Sequence, residues 1–103
     1  MTVAESRAHT QIATLAEWAE DYATRAERRA VNARKHASEA RAQAEQYAVD
    51  GDRYVESVHR REAELHEGAA ARQLESATTQ RARLRLSIRR ELSQACEEAR
   101  DDP

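Results

Sequence analysis

No phenylalanine occurs in this chain, and aromatic residues make up only 4% of it. That excludes a core built on large aromatic side chains. The one proline, Pro103, stands at the very end, so nothing in the body obliges a helix to stop. Glycine occurs twice, at Gly51 and Gly68, and flexible low-complexity composition is thereby excluded. A single cysteine, Cys96, rules out an internal disulfide framework. No stretch approaches the ~20 apolar residues of a membrane span. Met1 to Ala8 lack the apolar centre of an export signal. A cytoplasmic location is the resulting expectation, although signal-less secretion would leave no trace in such a sequence. Charge of one sign is missing too. The formal net charge is −2, so no global field draws the chain toward nucleic acid or anionic lipid.

What is present is charge of both signs, at 35% of residues, and a large share of Ala, Glu and Arg, all good helix formers. Thr2-Val3-Ala4-Glu5 has the hydroxyl-to-carboxylate spacing of a capping box. From there Ala16, Ala19, Ala23, Ala26, Ala30, Ala33, Ala37, Ala40 and Ala44 follow each other at alternating steps of three and four. Ile12 precedes them and Tyr47 follows in the same phase. A 3.5-residue period held for about five heptads predicts a coiled-coil seam. Its small residues let the helices approach closely. Val49-Asp50-Gly51-Asp52 then combines a glycine suited to a left-handed helix end with an aspartate suited to the next N-cap.

The fold expected is all-α: a long antiparallel two-helix hairpin, pairing further into a four-helix bundle. It forms one domain over 1–103, with a helix over about 3–49, a turn at 50–52 and a helix over about 53–99. If the chain reverses at Gly51, residue i faces roughly residue 102 − i. Ile12, Leu15, Trp18 and Tyr22 then lie opposite Leu84, Leu86 and Ile88. Two alternatives stay open. Gly51 could sit inside one continuous helix at a cost of ~1 kcal/mol, or a second break could fall at Gly68. The second helix suggests two stripes, one of Val55, Val58, Glu62, Leu65 and Ala69, the other of Leu74, Ala77, Arg81, Leu84, Ile88, Leu92 and Ala95. A phase slip near Gly68 separates them. The end, Glu97 to Pro103, is acidic and expected to fray.

Alanine buries little area, and at ~25 cal/mol per Å² an alanine-lined seam is weakly stabilised. The chain is therefore expected to associate, with itself as a homodimer or with another helical protein. The residues assigned to helix–helix contact are Ile12, Leu15, Trp18, Ala19, Tyr22, Ala23, Ala26, Ala30, Ala33, Ala37, Leu65, Leu74, Leu84, Ile88 and Leu92.

Chemical motifs are few. Arg81, Arg85 and Arg89 are spaced along one ridge, with Arg83 and Arg90 close by. Guanidinium groups suit phosphates, so a nucleic-acid contact through Arg81, Arg85, Arg89 and Arg90 is one reading. An internal ion-pair ladder with Glu17, Glu20 and Asp21 is the competing one. His59, Glu62 and His66 share a helix face, and the pairing arithmetic brings His36 opposite His66. Imidazoles and a carboxylate so placed suit a transition-metal ion. Glu56-x-x-His59 also resembles the Glu-x-x-His pair of ferritin-like di-iron bundles, though it occurs here once. Asp50 and Asp52, at the tip of two long helices, resemble the acidic coiled-coil tips of the secondary-channel regulators of RNA polymerase. The globular docking module of those proteins has no counterpart here, and turn chemistry alone accounts for both aspartates. In length and central turn the chain is similar to small secreted hairpins of the WXG100 type. Their Trp-x-Gly turn is absent, since the only tryptophan is Trp18. Tyr47 and Tyr54 are followed four residues on by Gly51 and Val58, not by an acid. With no glycine-rich phosphate loop, no serine elbow, and Cys96 beside Glu97 and Glu98, no enzyme and no cofactor are expected.

Overall fold

A computed structural model describes residues 2–101. Met1, Asp102 and Pro103, the extreme ends of the expected domain and of its acidic tail, lie outside the described residues. Two helices take up nearly everything else, α1 (Val3–Asp50) and α2 (Arg53–Asp101), and they pack against each other as a hairpin. Thr2 caps α1 as its spacing predicts. Its hydroxyl oxygen accepts the Glu5 N–H at 3.1 Å and its carbonyl accepts the Ser6 N–H at 3.0 Å.

The reversal uses only two residues. Gly51 has a φ of +81°, the left-handed conformation in which a Cβ is unfavourable. Its N–H donates to the Ala48 carbonyl at 3.2 Å, and the Asp52 N–H donates to the Tyr47 carbonyl at 3.0 Å. This pair of bonds is a Schellman motif, and it satisfies carbonyls that a helix end otherwise leaves open. Asp52 also starts α2. A carboxylate oxygen accepts the Val55 N–H at 3.2 Å and its carbonyl accepts the Glu56 N–H at 3.0 Å. Asp50, expected in the turn, is instead the last residue of α1, and α2 runs to Asp101 rather than Ala99.

Among the described residues, every buried side chain is an alanine and no polar or charged residue is buried. Along α1 the buried positions are Ala8, Ala19, Ala23, Ala26, Ala30, Ala37, Ala40 and Ala44. Ile12, Leu15, Ala16, Tyr22, Ala33 and Tyr47 are half-buried on the same line, so the expected α1 seam is present throughout. Trp18 departs from it. It is 61% exposed and stacks on Tyr22 of its own helix, with ring centroids 5.9 Å apart.

The α2 seam differs from expectation in its first part, whereas beyond it Ala77 and Ala95 are buried and Leu74, Arg81, Leu84 and Ile88 half-buried, as expected. There is no break at Gly68, and α2 is one helix through it. The residues turned inward are Glu56, His59, Ala63, His66, Ala70 and Ala77, in steps that never slip phase. Val58, Leu65 and Leu92, expected inside, are exposed. Steric room is the reason. Opposite an alanine line the closest positions admit alanine, while long polar residues at the edge cover the seam with their stems and keep their heads in water.

The chain forms two compact units, Met1–Thr24 with Ala77–Pro103, and Arg25–Ser76. Inside the second, Ala37 and Ala40 cluster with Ala63, and Arg29 Nε donates to Gln73 Oε1 at 3.1 Å. Inside the first, Arg7 Nη2 donates to Glu98 Oε2 at 2.8 Å and Arg81 Nε to Glu20 Oε1 at 3.2 Å. The pairs Arg29–Gln73 and Arg81–Glu20 follow the expected facing of residue i with roughly residue 102 − i. Among the described residues, no helix is long and apolar enough to cross a membrane.

Candidate functional site

The burial pattern leaves several of the larger apolar side chains exposed. Within Arg25–Ser76 these are Val31, Val49, Tyr54, Val58 and Leu65, and Leu65 is 64% exposed. Within Met1–Thr24 and Ala77–Pro103 they are Val3, Trp18, Leu86 and Leu92. Of the residues assigned to contact, Ala19, Ala23, Ala26, Ala30 and Ala37 are buried inside the hairpin and Ala33 is half-buried. Ile12, Leu15, Tyr22, Leu74, Leu84 and Ile88 are half-buried, and Trp18, Leu65 and Leu92 face outward. Val58 and Leu65 share their face of α2 with Val55, Glu62 and Ala69 at helical spacing. The stripe read from the sequence is therefore real, but it is an outer face and not the seam.

The histidines lie within Arg25–Ser76. The rings of His36 and His66 meet across the helices with centroids 5.4 Å apart and planes tilted by 35°, the pairing that the arithmetic predicts. His59 instead stacks on Tyr47 of α1, at 5.4 Å and an interplanar angle of 13°. Glu62 sits between them on α2, with Oε2 3.2 Å from His59 Nδ1 and Oε1 3.9 Å from His66 Nε2. His36 Nδ1 is 3.5 Å from Glu39 Oε2. The two histidines of α2 thus engage different rings of α1. Among the described residues, no group of three or more His, Cys, Asp or Glu is arranged to hold a metal ion.

The arginines divide as well. Arg81 is half-buried against Glu20, one rung of the expected ladder, while Arg83, Arg85, Arg89 and Arg90 are exposed. Arg41, spaced to pair with Glu45 on its own helix, bonds Glu67 of α2 through both Nε and Nη2, with the Nε bond at 2.9 Å. Hydrogen bonding to Glu67, and then its charge, raises the Arg41 guanidinium above its ordinary value. The i to i+4 pair Glu56–Arg60 is present at 3.7 Å. Cys96 is exposed and free.

Ala63 and Ala70 are the positions that reading by side-chain size passes over. Their signal lies in spacing, since Ala63, Ala70 and Ala77 stand seven residues apart. No protein-family model, no curated protein and no solved structure matches this chain.

Proposed function

We propose that this chain is a non-enzymatic helical assembly protein that works by helix–helix association, first with a second copy of itself in a four-helix bundle. One observation carries the reading. Among the described residues all buried side chains are alanines, while Tyr54, Val58, Leu65, Leu86 and Leu92 remain exposed. An alanine seam offers little transfer free energy, and the apolar area that would add to it lies on outer faces. Another helical protein is the alternative occupant of those faces. A cytoplasmic setting belongs to the same proposal, and a lone free thiol at Cys96 suits a reducing compartment.

Thermal melting over a hundredfold range of protein concentration tests it. The melting temperature rises with concentration if folding is coupled to association. A melting temperature that does not move, with no added protein, contradicts the homodimer.

A second reading is supported by the exposure of Arg83, Arg85, Arg89 and Arg90 within a short stretch of α2. Those forks suit a phosphate backbone. Gel shift with mixed DNA and RNA should then show binding that weakens steeply with salt. Absence of a shift at low salt removes this reading.

A further inference from the structure

Within Arg25–Ser76, His36 of α1 and His66 of α2 meet with ring centroids 5.4 Å apart. Two imidazoles that share one tetrahedral ion through bonds of ~2.0–2.1 Å have centroids roughly 5 Å apart, close to this separation. Each ring also faces a carboxylate through one nitrogen. His36 Nδ1 lies 3.5 Å from Glu39 Oε2, and His66 Nε2 lies 3.9 Å from Glu62 Oε1. A carboxylate in that place is the usual outer partner of a metal-bound histidine, because it holds the N–H and makes the other nitrogen a better donor. The nitrogens left for a ligand are Nε2 of His36 and Nδ1 of His66. His36 is exposed and His66 half-buried, so both rings have room to turn toward a shared ion. His59 stands apart from the pair, stacked on Tyr47 with its Nδ1 3.2 Å from Glu62 Oε2.

We propose that His36 and His66 form a two-histidine clamp for a divalent late transition ion, Cu²⁺, Ni²⁺ or Zn²⁺, which ties α1 to α2 while water fills its other positions. Imidazole suits these ions, whereas Mg²⁺ and Ca²⁺ prefer oxygen ligands. The clamp is smaller than the four-residue site expected from sequence, because no third His, Cys, Asp or Glu among the described residues is arranged with the pair. What it gains comes from position. The two ligands stand on opposite arms of the hairpin, so the ion closes a long loop and binds only the folded chain. The seam beside them is built from Ala37, Ala40 and Ala63, which contribute little transfer free energy, so a cross-link adds appreciably to it. The clamp lies within one chain and is independent of the association reading.

Thermal melting of the untagged full chain tests the clamp, in a Cys96→Ser background that removes the free thiol. Excess Ni²⁺ should raise the melting temperature by at least about 4 °C, and Mg²⁺ should leave it unchanged. His36→Gln and His66→Gln should each abolish the Ni²⁺ shift. His9→Gln and His59→Gln should keep it. Calorimetric titration with Ni²⁺ should give one ion per chain. If His66→Gln fails to fold, His36→Gln carries the test, since that position is exposed. No Ni²⁺ shift in the parent chain overturns the proposal, and so does a shift that survives either His36→Gln or His66→Gln. Half an ion per chain, with a mass that doubles on adding Ni²⁺, overturns a clamp within one hairpin and places the ion between copies.

Discussion

The N–H of Asp52 closes α1 while its carboxylate opens α2, so a single residue terminates one helix and starts the next. Asp52→Ala keeps the backbone bond to Tyr47 but loses the cap on Val55, and should cost about 1 kcal/mol. Gly51 behaves differently. A Cβ there meets nothing within 4 Å, so the penalty of Gly51→Ala comes from the backbone alone. The hairpin should persist, destabilised by about 1 kcal/mol, and Gly51→Asn should cost less because Asn tolerates the left-handed region. In a chain of this size that corresponds to a melting temperature lower by about 4–8 °C. Equal melting temperatures for Gly51 and the Ala variant would contradict the turn geometry. At Arg41 the sign is also fixed. A guanidinium held above its ordinary value stays charged until strongly alkaline pH, so its bond to Glu67 contributes throughout the neutral range. Added salt should weaken it, because the pair is exposed.

Along each helix, what distinguishes the seam from the outer face is room, and substitutions two residues apart should respond in opposite ways. Ala63 is fully buried and Leu65 is 64% exposed. Ala63→Leu should overpack the line and cost about 1–3 kcal/mol. Leu65→Ser, measured in dilute solution where chains are separate, should stay within about 0.5 kcal/mol of wild type. Denaturant titration of both variants checks this, and the reverse ranking would place the α2 seam wrongly. Ala30→Asp puts a charge into the buried line of α1 and should unfold the hairpin, since an unpaired buried charge costs several kcal/mol. The α1 seam was legible because alanine repeats there without competitors, and the pairing of helix faces followed once the turn was placed. The α2 seam was legible from Ala77 to Ala95, apart from Leu92, but not before Ala77. Its inward positions mix alanine with Glu56, His59 and His66, while the larger apolar residues Val58 and Leu65 form a second stripe beside it. Ranking by hydrophobicity picks that second stripe, and the apparent slip at Gly68 is the point where the two stripes are joined by mistake. Tyr47 as the ring partner of His59 was equally hidden, because it depends on which way a side chain leans across the helices.

For the molecule as a whole, a core of alanines and exposed larger residues such as Tyr54 and Leu65 are what support the proposal that a second chain completes the folded state. The histidine cluster and the exposed arginines are compatible with that role and do not require another. Each chain has a mass of 11.7 kDa. Sedimentation equilibrium on the untagged full chain, from low micromolar to near-millimolar concentration, tests association most directly. The expected result is a weight-average mass that rises with concentration to about twice 11.7 kDa. A mass of one chain throughout, with a cooperative and concentration-independent melt, would contradict it.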